Sequence, residues 1–133
     1  MKRVVASGYF NPLHIGHVRY LQDAKKLGDF LIVIVNNDDQ VVVKGSKPFM
    51  PEWERVEIIK ALGCVDDVVL SIDKDKTVCK TLEALTPDIF AKGGDSTIGN
   101  IPEMLVCKSM GTSVILGVGG DKIQASSKLL ENI

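Results

Sequence analysis

The two histidines of this 133-residue chain, His14 and His17, lie three positions apart in the segment 8-GYFNPLHIGH-17. Residues at this spacing lie one turn apart on the same side of a helix. The first turn of a helix also carries unpaired backbone N–H groups and the positive end of the helix dipole, which together favour an anion. Two imidazoles there can bind one phosphate and stabilise the charge that builds up around a five-coordinate phosphorus. The pair therefore indicates a phosphate site.

A histidine pair of this kind can also have a structural role. Two histidines in a first turn can be surface or capping residues. A zinc site is less favoured, because helical zinc pairs prefer a spacing of four and no third ligand is apparent. A dinucleotide-binding loop is excluded because no GxGxxG follows the first strand, while 117-GVGGD-121 follows the last strand and lacks the downstream acid.

Five short apolar runs alternate with helical patterns along the chain. This order predicts an α/β fold, a Rossmann-like, doubly wound, parallel five-stranded sheet in a single domain over residues 1–133. Ligands of such sheets bind outside the carboxyl ends of the strands, near the point where the strand order reverses. The first strand is predicted to end at about Ser7, and Gly8 is expected to let a ligand approach the backbone closely. The predicted strands are 4–6, 30–35, 68–72, 89–91 and 113–118, and the predicted helices are 17–28, 52–63, 77–85, 100–110 and 125–132.

The first two helical patterns predict which side chains are buried. In the first, Gly28 is expected at the C′ position, just beyond the helix. In the second, Trp53 is expected to belong to the buried stripe. The predicted buried sets are Tyr20, Leu21, Ala24 and Leu27 in the first helix, and Trp53, Val56, Ile59 and Leu62 in the second.

The composition excludes several classes of function. A formal net charge of −1 argues against a general nucleic-acid binder but leaves room for a small phosphorylated ligand. Cys64, Cys79 and Cys107 are odd in number and form no CxxC pattern, so neither a disulfide framework nor a zinc site is predicted. There is no signal-peptide pattern and no apolar run of the ~18 residues that a membrane span needs. We therefore expect a cytoplasmic protein without a membrane partner.

The segment GYFNPLHIGH resembles the GxFxxxHxGH signature of the cytidylyltransferase-like nucleotidyltransferases. The tetrapeptide HIGH also occurs in class I aminoacyl-tRNA synthetases, but this chain is far shorter and shows no tRNA-binding extension. Within the family, the chain is most similar to the adenylyltransferase domains of ADP-heptose synthases, with glycerol-3-phosphate cytidylyltransferases and FAD synthetases as close alternatives. Four further segments resemble family motifs in the family's order, namely 27–38 (second strand), 44–69 (lysine loop and helix), 87–95 (base-side loop) and 124–130 (Ser/Thr-rich motif).

The resemblance implies a reaction and a set of catalytic residues. In the family, a substrate phosphate attacks the α-phosphorus of a nucleoside triphosphate and pyrophosphate leaves, without a covalent enzyme intermediate. His14 and His17 would hold the α- and β-phosphates, Lys44 would reach them from a flexible loop, and Arg55 would order the phosphate site. Judged alone, Lys44 would be a solvated lysine, and Arg55 a surface residue paired with Glu52 one turn earlier.

The resemblance also implies a larger set of binding residues. Without it, the turn at Lys92 and the two glycines after it would be a plain β-turn, and Ser126 and Ser127 would be simple helix caps. Asp38 and Lys47 are weaker candidates for contact with the acceptor. The implied nucleotide-binding residues are Gly8, Tyr9, Phe10, Asn11, Gly16, Lys92, Gly94, Asp95, Ser126, Ser127 and Lys128.

The implied partners are ATP, with CTP as the alternative, and a phosphorylated small-molecule acceptor such as heptose 1-phosphate. Magnesium is expected to enter with the triphosphate and not through protein ligands, and a homodimer is expected.

Three positions depart from the family pattern. Asn11 stands where most relatives carry an acid, Ala125 where they carry Ser or Thr, and Gly120 where the glycerol-phosphate enzymes carry an arginine. The loss at Ala125 keeps a nucleotide-binding module without turnover as a non-enzyme alternative.

Overall fold

The computed structural model describes residues 1–93 and 101–120 of the chain. The strands and helices alternate as predicted, with one additional short helix after the second strand. The predicted helix 125–132 lies outside the described residues. The elements are β1 (Arg3–Gly8), α1 (Ile15–Lys25), β2 (Phe30–Val35), α2 (Asp38–Val43), α3 (Glu52–Lys60), β3 (Asp67–Leu70), α4 (Cys79–Leu85), β4 (Ile89–Gly93), α5 (Ile101–Met110) and β5 (Ser113–Val118).

The five strands form one sheet in the order β3-β2-β1-β4-β5, and every neighbouring pair is parallel. The predicted five-stranded doubly wound sheet is therefore confirmed. The chain leaves β1 for β2 on one side, whereas β4 lies on the other side of β1 with Ala6 opposite Ala91. The strand order thus reverses between β1 and β4, and the carboxyl ends of these two strands border the crevice in which such sheets bind ligands.

The sheet separates two apolar cores, because successive side chains of a strand point to opposite faces. One core contains Val4 and Ala6 of β1 together with Leu21 of α1 and Ile59 of α3. The other contains Val5 of β1, Phe90 of β4, Leu82 of α4 and Cys107 of α5. We call these the α1/α3 face and the α4/α5 face. Both faces are covered, which explains why the strands read as continuous apolar runs.

The helix α2 was not predicted, and it corrects the expected setting of Lys44. Asn37 caps this helix, with its side chain accepting a hydrogen bond from Gln40 N while the Gln40 side chain accepts one from Asn37 N. Gln40 is fully buried, and its amide also donates to the carbonyl groups of Asp75 and Thr77. Lys44 is the C-terminal cap of α2. Lys44 therefore stands at the end of a short helix, where only a loop was expected.

Two further expectations about the helices are wrong. Trp53 does not join the buried stripe of α3, since 65% of it is exposed while Ile59 is fully buried. Gly28 is not the residue just beyond α1, because that helix ends at Lys25 and its cap is Lys26. The reason for glycine at position 28 is steric. A Cβ atom there would lie 2.7 Å from Val4 Cγ2 and 2.8 Å from the carbonyl oxygen of Lys2.

Across residues 1–93 and 101–120, no helix has both the length and the apolar character that a membrane crossing requires.

Candidate active site

The two histidines lie together at the start of α1, as predicted. His14 is the N-terminal cap, and its Nδ1 accepts a hydrogen bond from Gly16 N at 3.1 Å. His17 Nδ1 accepts one from His14 N at 3.2 Å. The rings stack with 3.9 Å between their centroids and 25° between their planes. Because each Nδ1 is an acceptor, the proton of each neutral ring is on Nε2, so both rings carry an N–H donor at that atom.

The environment of His17 keeps its ring neutral. The pKa of His17 is lowered from 6.5 to about 4, chiefly by burial and also by the neighbouring His14 and Lys44. The ring edge of Phe10 packs against it, with 5.1 Å between centroids and 77° between planes. Because Nδ1 already accepts a backbone hydrogen bond, the neutral ring keeps its proton on Nε2, from which it can donate to a phosphate oxygen.

Phe10 accounts for the glycine at position 8. Its backbone has the left-handed φ of 49°, and its side chain is 1% exposed. A Cβ atom at Gly8 would lie 2.8 Å from Phe10 Cζ. The close approach predicted at Gly8 is therefore made by a ring of the protein itself. That ring also contacts His17 and so supports the imidazole.

Lys44 reaches the same site from the end of α2. Its Nζ atom lies 4.2 Å from the centroid of the Tyr9 ring, a cation–π contact. The charge of Lys44 also contributes to the lowered pKa of His17. The structure thus brings together Tyr9, His14, His17 and Lys44, which the sequence predicted as site residues from three separate elements.

Arg55 is buried and joins several loops by hydrogen bonds. It is fully buried, which overturns the alternative of a surface residue. Its guanidinium donates to the carbonyl oxygens of Tyr9 at 2.8 Å, Asn36 at 2.6 Å and Met50 at 3.0 Å. It also pairs with Asp38 at 2.7 Å. Most of its donors are used within the protein, so Arg55 holds the loops around the phosphate site.

The same hydrogen bonds of Arg55 change the expected surroundings of Asp38 and Glu52. Asp38 was a candidate for acceptor contact, but its carboxylate accepts from Arg55 at the start of α2. Glu52 does not pair with Arg55; its carboxylate accepts from the backbone N–H of Asp38 at 2.9 Å. Both acids therefore anchor the junction of α2 and α3.

Asn11 explains one departure from the family pattern. It is buried, and its side-chain amide donates to Lys47 O at 2.8 Å. Its carbonyl oxygen accepts from Phe49 N at 2.6 Å and from Met50 N at 3.3 Å. An aspartate could accept the last two bonds but could not donate the first while ionised. The amide thus fixes the 47–50 segment against the histidine loop, with the Lys47 side chain exposed.

The remaining predicted residues fall in two groups. Gly16 lies in the first turn of α1 and donates its N–H to His14. Lys92 lies at the carboxyl end of β4, and burial lowers its pKa. Five predicted nucleotide-binding residues lie outside the described part of the chain: Gly94, Asp95, Ser126, Ser127 and Lys128.

Within the described residues, no group of three or more His, Cys, Asp and Glu side chains could hold a metal ion. The site therefore offers no metal cage of its own there. It offers two imidazole N–H donors, an ammonium group and a helix N-terminus at the strand-order reversal. This combination suits a polyphosphate whose charge changes during a reaction.

Comparison with known proteins gives a consistent result. The model of the family described as cytidylyltransferase-like matches residues 5–121. Bifunctional protein HldE of Citrifermentans bemidjiense is 43% identical over 99% of this chain, which spans only 27% of that protein's length. FAD synthase of Archaeoglobus profundus is 38% identical over 100% of this chain and 86% of its own.

A solved structure shows the same fold. The lipopolysaccharide core biosynthesis protein from Thermoplasma volcanium is 33% identical and superposes with a TM-score of 0.75. The match covers 88% of this chain and 94% of that one.

Proposed function

The chain belongs to the cytidylyltransferase-like family of nucleotidyltransferases, and we propose that it transfers AMP from ATP to the phosphate of a small polyhydroxylated acceptor. A sugar phosphate such as heptose 1-phosphate is the first candidate acceptor. The observation that carries the proposal is the stacked histidine pair, in which both Nδ1 atoms accept backbone hydrogen bonds and both Nε2 atoms carry protons.

In the proposed reaction, an oxygen of the acceptor phosphate attacks the α-phosphorus of ATP. The bond from the α-phosphorus to the oxygen that bridges to the β-phosphate breaks, and pyrophosphate carries away that electron pair. The Nε2–H groups of His14 and His17 donate to the phosphate oxygens on which charge accumulates, and Lys44 neutralises part of that charge. Positioning and charge stabilisation can supply most of the rate enhancement of such a transfer.

Adenylyl transfer is favoured over cytidylyl transfer by two observations. The sequence resembles the adenylyltransferase domains of ADP-heptose synthases, and Gly120 stands where the glycerol-phosphate cytidylyltransferases carry an arginine. The matched FAD synthase points the same way, because FAD contains an AMP moiety.

FMN is the second candidate acceptor. The support is the match to FAD synthase of Archaeoglobus profundus over the whole of this chain, at 38% identity. Both candidates would accept AMP on a phosphate, so the histidine chemistry is common to them. The residues that contact the rest of the acceptor would decide which of the two is bound.

Magnesium and self-association complete the proposal. We propose that magnesium arrives as the triphosphate complex and that the protein acts in the cytoplasm as a homodimer. Activity should be lost on addition of EDTA and return with excess magnesium, while activity that survives EDTA would refute the metal requirement.

Light scattering coupled to size-exclusion chromatography tests the proposed homodimer and should give twice the monomer mass of 14.5 kDa.

The deciding experiment is pyrophosphate release with ATP and CTP in parallel. The acceptors are heptose 1-phosphate, other sugar 1-phosphates, glycerol 3-phosphate and FMN. Release with ATP and one acceptor supports the proposal and names the acceptor, whereas release only with CTP and glycerol 3-phosphate replaces it. Absence of release with every pair, together with calorimetric ATP binding, would favour a nucleotide-binding module without turnover.

A further inference from the structure

Glu103 presents a buried carboxylate on the α4/α5 face that the histidine chemistry does not use. It lies in the first turn of α5, and only 5% of it is exposed. Its Oε1 atom has no hydrogen-bond partner among the described residues. Buried polar side-chain atoms are almost always hydrogen-bonded, because desolvation without a partner is costly. A buried carboxylate oxygen without a partner therefore indicates that a hydrogen-bond donor from outside the described residues binds there.

Two other acids nearby do not share this property. Asp73 is buried, but its carboxylate accepts from Lys80 N, Thr81 N and Thr81 Oγ1. Asp75 accepts from the backbone and hydroxyl of Thr77. These two acids stabilise the segment that leads into α4. Of these three acids, Glu103 is the one with a buried oxygen that has no hydrogen-bond donor among the described residues.

A partly buried cation lies near Glu103. Lys92 follows Phe90 by two positions in β4, so both side chains are on the α4/α5 face, and Lys92 Nζ lies 5.1 Å from the Phe90 ring centroid. Burial raises the pKa of Glu103 and the acids at 73 and 75 add to the rise, whereas its own backbone N–H and the Lys92 ammonium oppose it. A carboxylate in the first turn of α5 and an ammonium at the carboxyl end of β4 thus belong to the same face of the sheet.

The charge of Glu103 also acts on Tyr9 of the histidine loop. After burial, its charge is the next cause of the raised pKa of Tyr9. Tyr9 in turn carries Lys44 on its ring at 4.2 Å. Because β1 and β4 are adjacent, Glu103 and Lys92 approach the crevice from the α4/α5 face, whereas α1 brings the histidines from the opposite face.

We propose that Glu103 and Lys92 form the acceptor wall of the active site, that is, the surface that contacts the acceptor. Glu103 accepts a hydrogen bond from a hydroxyl of a phosphorylated polyol, and Lys92, which the family resemblance assigns to the nucleotide, instead attracts the acceptor's phosphate. This inference rests on the proposed function and deepens it. A carboxylate oxygen without a donor matches an alcohol, and an ammonium matches a phosphate. Of the earlier acceptor candidates, Asp38 fits less well, since its carboxylate is bound to Arg55. Sugar phosphates and the ribityl phosphate part of FMN share this chemistry.

The test compares the wild-type protein with Glu103→Leu and Glu103→Gln. Leucine removes both oxygens at similar volume, and glutamine keeps an acceptor oxygen but loses the charge. Glu83→Gln, an exposed acid on α4, is the matched control. Circular dichroism and calorimetric ATP binding establish that each variant is folded. Binding of heptose 1-phosphate, glycerol 3-phosphate and FMN is then measured by calorimetry, with inorganic phosphate as the reference probe.

We expect Glu103→Leu to weaken binding of the polyol phosphate at least 10-fold, Glu103→Gln to weaken it less, and Glu83→Gln to leave it unchanged. Inorganic phosphate and ATP should each bind the wild type and the three variants with the same affinity. The inference is overturned if Glu103→Leu binds the polyol phosphate as the wild type does, or if the wild type binds none of the three.

Pyrophosphate release separates this inference from the proposed function. If the wild type releases pyrophosphate and Glu103→Leu leaves the KM for the acceptor unchanged, only the acceptor wall is refuted. If the wild type binds a polyol phosphate through Glu103 but releases no pyrophosphate, only the proposed transfer is refuted. The acceptor that loses affinity in Glu103→Leu distinguishes a sugar phosphate from FMN.

Discussion

The backbone N–H of His14 donates to Nδ1 of His17 at 3.2 Å, and the two imidazole rings stack at 3.9 Å. The orientation of the second ring is therefore set by the backbone of the first, before any ligand binds. Such preorganised donors stabilise developing charge without reorganisation during the reaction.

Replacement of His17 by alanine should lower kcat about 10²–10³-fold, the cost of losing one preorganised donor to a developing negative charge. Steady-state pyrophosphate release, with the acceptor that the parallel assay selects, measures the change. Circular dichroism should show the fold retained, and Arg19→Ala, an exposed position on the same helix, should keep normal turnover. Undiminished turnover in the alanine variant would exclude the assigned role.

Folding stability should fall between pH 6.5 and pH 4 because of His17. Its pKa is about 4 in the folded protein and 6.5 ordinarily, so the unfolded chain takes up a proton that the folded protein resists. The stabilisation is complete above pH 6.5 and is lost as the pH falls toward 4. The loss is on the order of 2 kcal/mol, because solvent partly screens the ring. Urea unfolding at pH 7 and pH 4.5 measures it, and His17→Gln should lose less stability than the wild type. Equal losses in the two proteins would contradict the assignment.

Arg55→Lys should lower the free energy of unfolding by about 3 kcal/mol. The four hydrogen bonds of the guanidinium join Tyr9, Asn36, Asp38 and Met50, and an ammonium cannot reproduce its planar geometry. The midpoint of urea unfolding reports the loss. Glu57→Gln, exposed on the same helix, should change stability by less than about 0.5 kcal/mol. A lysine variant as stable as this control would show that the guanidinium is dispensable.

Gly28→Ala should destabilise the fold by about 1–3 kcal/mol, since its methyl group would overlap Val4 Cγ2 and the carbonyl oxygen of Lys2. Gly63→Ala is the natural comparison, because a Cβ atom there has no neighbour within 4 Å among the described residues. Thermal unfolding should separate the two variants by several degrees. Coincident melting curves would mean that the β1 edge moves to accept the methyl group.

Lys44→Ala should weaken binding of ATP about 10-fold or more while leaving adenosine binding unchanged. The Lys44 ammonium lies over Tyr9, close enough to lower the pKa of His17, so its charge acts where the phosphates are proposed to bind. Calorimetry with adenosine, AMP and ATP gives the dependence on phosphate number. Lys26→Ala, an exposed lysine just beyond the far end of α1, serves as the control. An equal loss for adenosine and ATP would point to a structural role for Lys44.

The alternation of strands and helices and the position of the histidines followed from the sequence, because both depend on strong local patterns. Apolar runs such as 30–35 form buried parallel strands, and the capping histidines precede a regular helical pattern. The helix α2 escaped prediction since its six residues, DDQVVV, show a β-branched run and no helical period. The Asn37–Gln40 capping box is a local signal for the start of this helix. The burial of Gln40 and its bonds to the carbonyl groups of Asp75 and Thr77 are tertiary effects that the local pattern does not show.

The supporting residues of the site were less predictable than the histidines. Arg55 was expected by resemblance, but its guanidinium is buried against carbonyl groups of which two, those of Tyr9 and Asn36, are far away in the sequence. Glu103 carries no sequence signal, because an acid in the first turn of a helix is ordinarily explained by the helix dipole. Only the tertiary structure shows that its oxygen is buried without a partner among the described residues.

The sheet between the two apolar cores also bears on how such a protein can diversify. The histidines and Arg55 belong to elements of one face, and the Glu103–Lys92 pair belongs to the other. Under the proposed assignment, mutations that reshape α4 and α5 would change the choice of acceptor and leave the histidine site unaltered. A combinatorial library limited to the lining of that one face would be the economical way to redirect the enzyme.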